Sequence, residues 1–118
     1  MIPEDLKYSR THEWARLEAG NVVTMGITAY AAEQLGDIVF LDLPKAGTQT
    51  RQGQPMGVIE SVKAAVDLYA PVTGSVVESN SALASQLDLI AQAPYGQGWM
   101  VKVQVADGWP NLFRQARF

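Results

Sequence analysis

The chain contains no cysteine. Disulfides, thiol nucleophiles and cysteine-ligated metals are therefore excluded, and the absence is compatible with a reducing compartment. Histidine is nearly missing as well. His12 is the only one, so a metal site built on several imidazoles cannot form. One imidazole can act as a base, but the sequence places neither a nucleophile nor an orienting partner for it. His12 is expected to be a structural or surface residue. No apolar run approaches the roughly 18 residues of a membrane-crossing helix. The opening Met1-Ile2-Pro3-Glu4-Asp5 lacks the basic and apolar regions of a signal peptide. Basic charge is scarce: nine lysines and arginines against twelve acids leave a net charge of −3, without the basic stripe that nucleic acid requires. These absences lead to the expectation of a soluble cytoplasmic protein with no targeting segment, no membrane association and no nucleic-acid partner.

Phosphate-binding loops are absent too. There is no G-x-x-x-x-G-K-[ST] and no G-x-G-x-x-G. Gly96-Gln97-Gly98 is too short and leads into a strand. Asp37 and Asp42 bracket Ile38 to Leu41 and read as solvated strand-end carboxylates, not as an acid/base pair.

What the sequence does hold is material for a core. With 118 residues, 47% of them hydrophobic, it suits one domain burying roughly 60–70% of its unfolded surface. Its periodicity is mostly that of strands. In Trp99 to Val105, Trp99, Val101, Val103 and Val105 point one way, while Lys102 and Gln104 point the other. Val22 to Ile27 and Ile38 to Leu43 are rich in strand formers. Turn signals stand at Ala19-Gly20-Asn21, Pro44-Lys45-Ala46-Gly47 and Pro94-Tyr95-Gly96. This spacing suggests a sandwich or a small barrel.

Two segments read as helix. Thr28 is a suitable N-cap for Ala29 to Leu35, with Gly36 as the stop and Ala31, Ala32 and Leu35 toward the core. The tail from Pro110 carries Leu112, Phe113 and Ala116 at helical spacing. A C-terminal helical appendage is expected over about 107–118, beyond a core of about 6–105. A short echo also appears: Val58-Ile59-Glu60-Ser61 returns as Val76-Val77-Glu78-Ser79, each after a glycine, Gly57 or Gly74. If it is a true repeat, the two strands are related by an approximate two-fold, with Lys63 between them.

Lys63 is expected at the tip where two strands meet, pointing into water and reachable from all sides. Ala64 and Ala65 leave room for a modifying enzyme, and the amine can be acylated. On spacing alone, a hairpin-tip lysine is a solvated charge.

The wider pattern resembles the glycine cleavage H-protein family. Glu60-Ser61-Val62-Lys63-Ala64-Ala65, Asp67 and Ala70-Pro71-Val72-Thr73-Gly74 are similar to the family's lipoylation segment. Thr11-His12-Glu13-Trp14, Gly26-Ile27-Thr28 with Tyr30-Ala31, Gln34 to Phe40 with Leu43-Pro44, and Pro94-Tyr95-Gly96 with Gly98-Trp99 resemble the same family in order and spacing. The likeness runs over about residues 6–105. Val66, Ala29, Ala93 and the tail from Trp109 depart from the family's usual residues, which bears on partner contacts more than on attachment.

The resemblance implies a mainly β fold, a flattened barrel-sandwich hybrid of two antiparallel sheets. It implies lipoic acid joined covalently to Lys63, with Thr11, Glu13 and Asp67 contacting the arm. It further implies a non-catalytic carrier of the glycine cleavage system. The implied partners are a pyridoxal-phosphate glycine decarboxylase, a tetrahydrofolate-dependent aminomethyltransferase, an FAD-containing dihydrolipoamide dehydrogenase, and a lipoate ligase or lipoyl/octanoyl transferase. Such a carrier holds its cargo at high effective concentration at each enzyme, and the cofactor supplies the sulfurs that a cysteine-free chain lacks. A biotin carrier usually places its lysine between methionines, and a 2-oxo acid dehydrogenase domain typically reads Asp-Lys-Ala. Here Val62 and Ala64 flank Lys63. A lipoyl-relay role and an unmodified β-sandwich interaction module remain as alternatives.

Overall fold

The strand-forming segments pair into two antiparallel sheets. The computed structural model describes residues 6–105; the expected helical tail lies outside the described residues. The strands are β1 (Lys7–Tyr8), β2 (Glu13–Glu18), β3 (Val22–Ile27), β4 (Ile38–Asp42), β5 (Gln49–Thr50), β6 (Pro55–Ser61), β7 (Ala65–Tyr69), β8 (Gly74–Ser79) and β9 (Val101–Gln104). One sheet runs β1-β2-β3-β9-β8-β5, the other β4-β6-β7. Successive side chains point to opposite faces, as the period of two requires, and β3 is buried on both faces from Val23 to Ile27. Leu41 and Ile59 oppose each other in the small sheet, and Val23 opposes Val103 in the large one. Ile59, Leu68, Met25, Val76, Val101 and Val103 meet in one buried core.

The helix appears where the sequence places it. α1 spans Ala29–Leu35, the Thr28 side chain accepts a hydrogen bond from the Ala31 amide, and Gly36 ends the helix with φ 76°. Ala32 is buried, and Ala31 and Leu35 pack partly against the core. A left-handed backbone at this position suits glycine, which has no Cβ to clash. Gly20 and Asn21 likewise turn with positive φ between β2 and β3.

Two sequence readings need correction. The alternation of Trp99 to Val105 begins only at Val101. Met100 is fully buried in the main core, whereas Trp99 is half-buried and packs on a separate cluster of Leu6, Tyr8 and Trp14. The chain turns at Gly96 to Trp99 before the strand starts, so the period of two does not extend back to Trp99. The Trp14 indole donates to the Pro94 carbonyl at 2.9 Å and lies against Gly26, where any Cβ would fall 2.9 Å from Nε1. The echo, second, is out of phase. Ile59 is buried but its counterpart Val77 is 46% exposed, while Val76 points inward. The pairing of β8 with β9 shifts between Val76 and Glu78, a bulge at Val77 that has no counterpart at Ile59, where β6 pairs regularly with both neighbours. A 3-10 segment at Ser81–Ser85 and a short helix α2 (Leu89–Gln92) were not legible in the sequence. They bury Leu83 and Ile90.

Candidate functional site at the β6–β7 hairpin

The turn that carries Lys63 is held by one serine. The Ser61 amide donates to the Ala64 carbonyl at 2.8 Å. The Ser61 hydroxyl oxygen accepts from the amides of Lys63 and Ala64, each at 3.2 Å. A serine opening a tight turn satisfies amides that would otherwise need water. The Val62 amide donates to the Asp37 carbonyl at 3.0 Å, tying the tip to the junction between α1 and β4. The backbone at Lys63 is thus fixed on two sides.

Its side chain is exposed but not open on every side, as the sequence reading expected. The stem crosses Gly36, where an added Cβ would stand 3.5 Å from Lys63 Cε. Nζ donates to the Gln34 carbonyl at 3.4 Å, near the C-terminal end of α1. That end carries carbonyls without helical partners and a partial negative charge, so it attracts a cation.

Beside the lysine runs a groove of about 480 Å³ between α1, β2 and β7, walled by Ile27, Tyr30, Leu35 and Ile59. Gln34 belongs both to this groove and to the lysine contact, so it links the amine to the groove. Thr11, Glu13 and Asp67, the three arm-contact candidates, all line the groove.

Their environments differ. Thr11 and Asp67 are exposed, whereas Glu13 is only 2% exposed. Glu13 Oε1 accepts from the hydroxyls of Ser9 and Thr11. Oε2 accepts from the Tyr69 amide at 3.2 Å. A buried carboxylate must be bonded in this way. Burial raises its pKa, and the hydrogen bonds from Ser9, Thr11 and the Tyr69 amide offset this only in part. His12 also lines the groove, with its ring centroid 5.2 Å from that of Tyr30 and its pKa lowered by burial. Its backbone takes φ 68°, which turns the chain so that Thr11 and Glu13 face one carboxylate-centred cluster. Ser9, Gln34, Ser61 and Tyr69 were missed by the sequence reading. Only Ser61 carried a signal, as the residue opening the turn.

A lysine-linked lipoyl group needs an accessible amine, a firm root and a nearby apolar channel. The hairpin and groove supply all three. Residues 6–112 match the family described as Glycine cleavage H-protein. This chain belongs to the glycine cleavage H-protein family. It is 52% identical over 106 residues to the glycine cleavage system H protein of Halorhodospira halophila, covering 90% of this chain and 82% of that one. Against the H protein of Cronobacter sakazakii the identity is 51%, again over 106 residues and with the same coverage of each. The crystal structure of a glycine cleavage system H protein from Mycobacterium marinum superposes with a TM-score of 0.87 at 38% identity, over 95% of this chain and 91% of that one. The H-protein family gives the sandwich its class, the barrel-sandwich hybrid of lipoyl carriers. It also gives the role: a lipoyl carrier of the glycine cleavage system, with covalently attached lipoic acid as cofactor.

Proposed function

We propose that Lys63 Nζ is the attachment point, and that the groove lined by Thr11, Glu13 and Asp67 receives the arm. The observation that carries this reading is the contact of Lys63 Nζ with the carbonyl of Gln34, a residue that also lines the groove. The lipoyl group supplies the reactive sulfurs that take up and release the one-carbon cargo of glycine. The chain's own residues do the rest. Ser61 and Asp37 fix the root of the arm. Ile27, Leu35 and Ile59 exclude water from the groove, and Asp67 offers a carboxylate at its rim. A cationic group entering an apolar groove needs an acidic or polar partner, because burying it unpaired is costly.

In this reading the chain is one carrier domain that catalyses nothing itself. It visits the glycine decarboxylase, the tetrahydrofolate-dependent aminomethyltransferase and the dihydrolipoamide dehydrogenase, after a lipoate ligase or lipoyl/octanoyl transferase has modified it. A cytoplasmic setting belongs to the same reading. It is supported by the absence of cysteine, and no helix among the described residues is long and apolar enough to cross a membrane. The test is co-expression with a lipoate ligase, followed by intact mass and peptide mapping. One lipoyl group on Lys63, lost in Lys63→Arg with the fold retained, is expected. Modification at Lys45 or Lys102, or its survival in Lys63→Arg, overturns the assignment.

A further inference from the structure

The charged residues that line the groove differ in setting. Glu13 is buried and already accepts from Ser9, Thr11 and the Tyr69 amide. Asp67 is exposed and comes from β7 of the small sheet. Arg10 is exposed and comes from the turn between β1 and β2 of the large sheet. It is the only lysine or arginine among the lining residues. His12 adds no charge at neutral pH, because burial lowers its pKa from the ordinary 6.5. The backbone at Arg10 is held in place. Its turn is closed by the His12 amide on the Ser9 carbonyl at 3.3 Å and the Ser9 amide on the Glu13 carbonyl at 2.9 Å. The flanking Ser9 and Thr11 hydroxyls both donate to Glu13. The turn is thus anchored at the groove, and the long Arg10 side chain is what remains free to reorient. Neither Arg10 nor Asp67 is in an ion pair among the described residues, whose one salt bridge joins Arg16 and Glu18.

We propose that Arg10 sets how firmly the groove holds a cationic cargo, by competing with that cargo for Asp67. The proposal rests on the groove being where the arm docks. With the arm outside, the guanidinium is the groove's own countercharge to Asp67. Acylation turns Lys63 Nζ into an uncharged amide, so Arg10 is then the one positive charge at the groove. An aminomethyl group on the arm is cationic at neutral pH, and its entry brings a second. The two cations share one exposed carboxylate, because Glu13 is already occupied by its own donors. Like charges repel at this range, and the groove holds the cargo more weakly than it would without Arg10. The unloaded arm carries no charge and meets no such opposition. Arg10 therefore acts on the loaded arm alone and eases its departure to the next enzyme.

The test times ammonia release from the loaded protein when no aminomethyltransferase is present. In that reaction water attacks the methylene carbon and both the C–S and C–N bonds break. The water oxygen leaves in formaldehyde, the sulfur keeps a proton as the thiol, and nitrogen leaves as ammonium. A docked arm is shielded from the attack. Arg10→Gln is expected to slow release about two- to fourfold at low salt. The difference should vanish near about 1 M salt, where the Debye length is about 3 Å. Arg10→Lys keeps the charge and should release at the wild-type rate. A second readout needs no arm. In the unlipoylated chain, Asp67→Asn should shift the Arg10 Nε–H signal in nitrogen NMR. Arg10 is exposed, so melting temperatures should match the wild type and separate lost charge from lost fold. Release from Arg10→Gln at or above the wild-type rate, while Asp67→Asn speeds it, overturns the role of Arg10 and leaves the groove standing. An Arg10 signal indifferent to Asp67→Asn overturns it as well. Release unmoved by Arg10→Gln, Asp67→Asn and Glu13→Ala alike removes the groove as the docking place, and this role with it.

Discussion

The Tyr69 amide donates to Glu13 Oε2 at 3.2 Å, joining β2 of the large sheet to β7 of the small one. β7 pairs only with β6, so its other edge would leave this amide without a ladder partner. Glu13 fills that gap while its second oxygen holds the hydroxyls of Ser9 and Thr11. The carboxylate therefore braces the groove from both sides. This is a firmer role than an arm contact alone, and it was not visible from the sequence.

Glu13→Ala should strand these donors and cost about 2–4 kcal/mol. Glu13→Gln should cost less, because its amide oxygen can still accept from Tyr69 while the hydroxyls reorient. Urea unfolding of the two variants checks this. An equal loss in both would mean that shape, and not the accepting oxygens, matters.

The pH dependence follows from the raised pKa of Glu13. Its ordinary value is 4.5, and burial lifts it in the folded chain. The folded state then binds the proton more tightly than the unfolded state. The stability this group contributes is complete below pH 4.5 and is lost as pH rises through the raised value. Glu13→Gln does not titrate. Its melting temperature relative to wild type should climb as pH rises above the ordinary value of 4.5. A flat difference above that value would contradict the raised pKa.

Asp67→Asn tests the arm's pocket. Asp67 is exposed at the groove's rim, so its substitution should leave stability and lipoylation intact. The expected effect is faster spontaneous ammonia release from the loaded protein when no aminomethyltransferase is present. Glu13→Ala should act in the same direction. Release at the wild-type rate in both single variants and in the double variant would remove these residues from the role.

Val101 is fully buried and sits between Met25 and Ser79 in its sheet. Val101→Asp buries a charge without a partner and should cost on the order of 3–5 kcal/mol, a large part of a domain's stability. A variant melting within a degree or two of wild type would show that this strand does not face the core.

Gly57 and Gly74 make a matched pair of tests. A Cβ at Gly57 would run into the Asp42 carbonyl, and one at Gly74 into the Gln104 carbonyl. Neighbouring backbone cannot move aside as a flexible side chain can, so Gly57→Ala and Gly74→Ala should each lose at least about 2 kcal/mol. Thermal melts that match wild type would mean the strands can spread at no cost.

The parts of the fold that were legible are those set by neighbours in the chain. Thr28 and Gly36 bound α1 correctly because caps act within one turn. Val101, Val103 and Val105 show their facing by alternation alone. The errors come from local irregularities and from distance. The bulge at Val77 broke the echo with the regular strand β6, and the turn before Val101 moved Trp99 to the other cluster. The groove could not be read at all, because Glu13 and Tyr69 meet only when the two sheets close on each other. Lys63 stood out through its sequence resemblance; its rest on α1 emerged only in three dimensions.

The small aromatic cluster has a spectroscopic consequence. Trp14 is fully buried there, and Trp99 packs against it, so two of the three tryptophans share one environment. No residue of the lysine turn belongs to that cluster. Emission from these two indoles therefore reports the docking of β1 and the segment around Pro94, and it stays silent when the hairpin is acylated. A red shift that precedes the loss of the far-ultraviolet sheet signal would mark this corner of the molecule as the first to open.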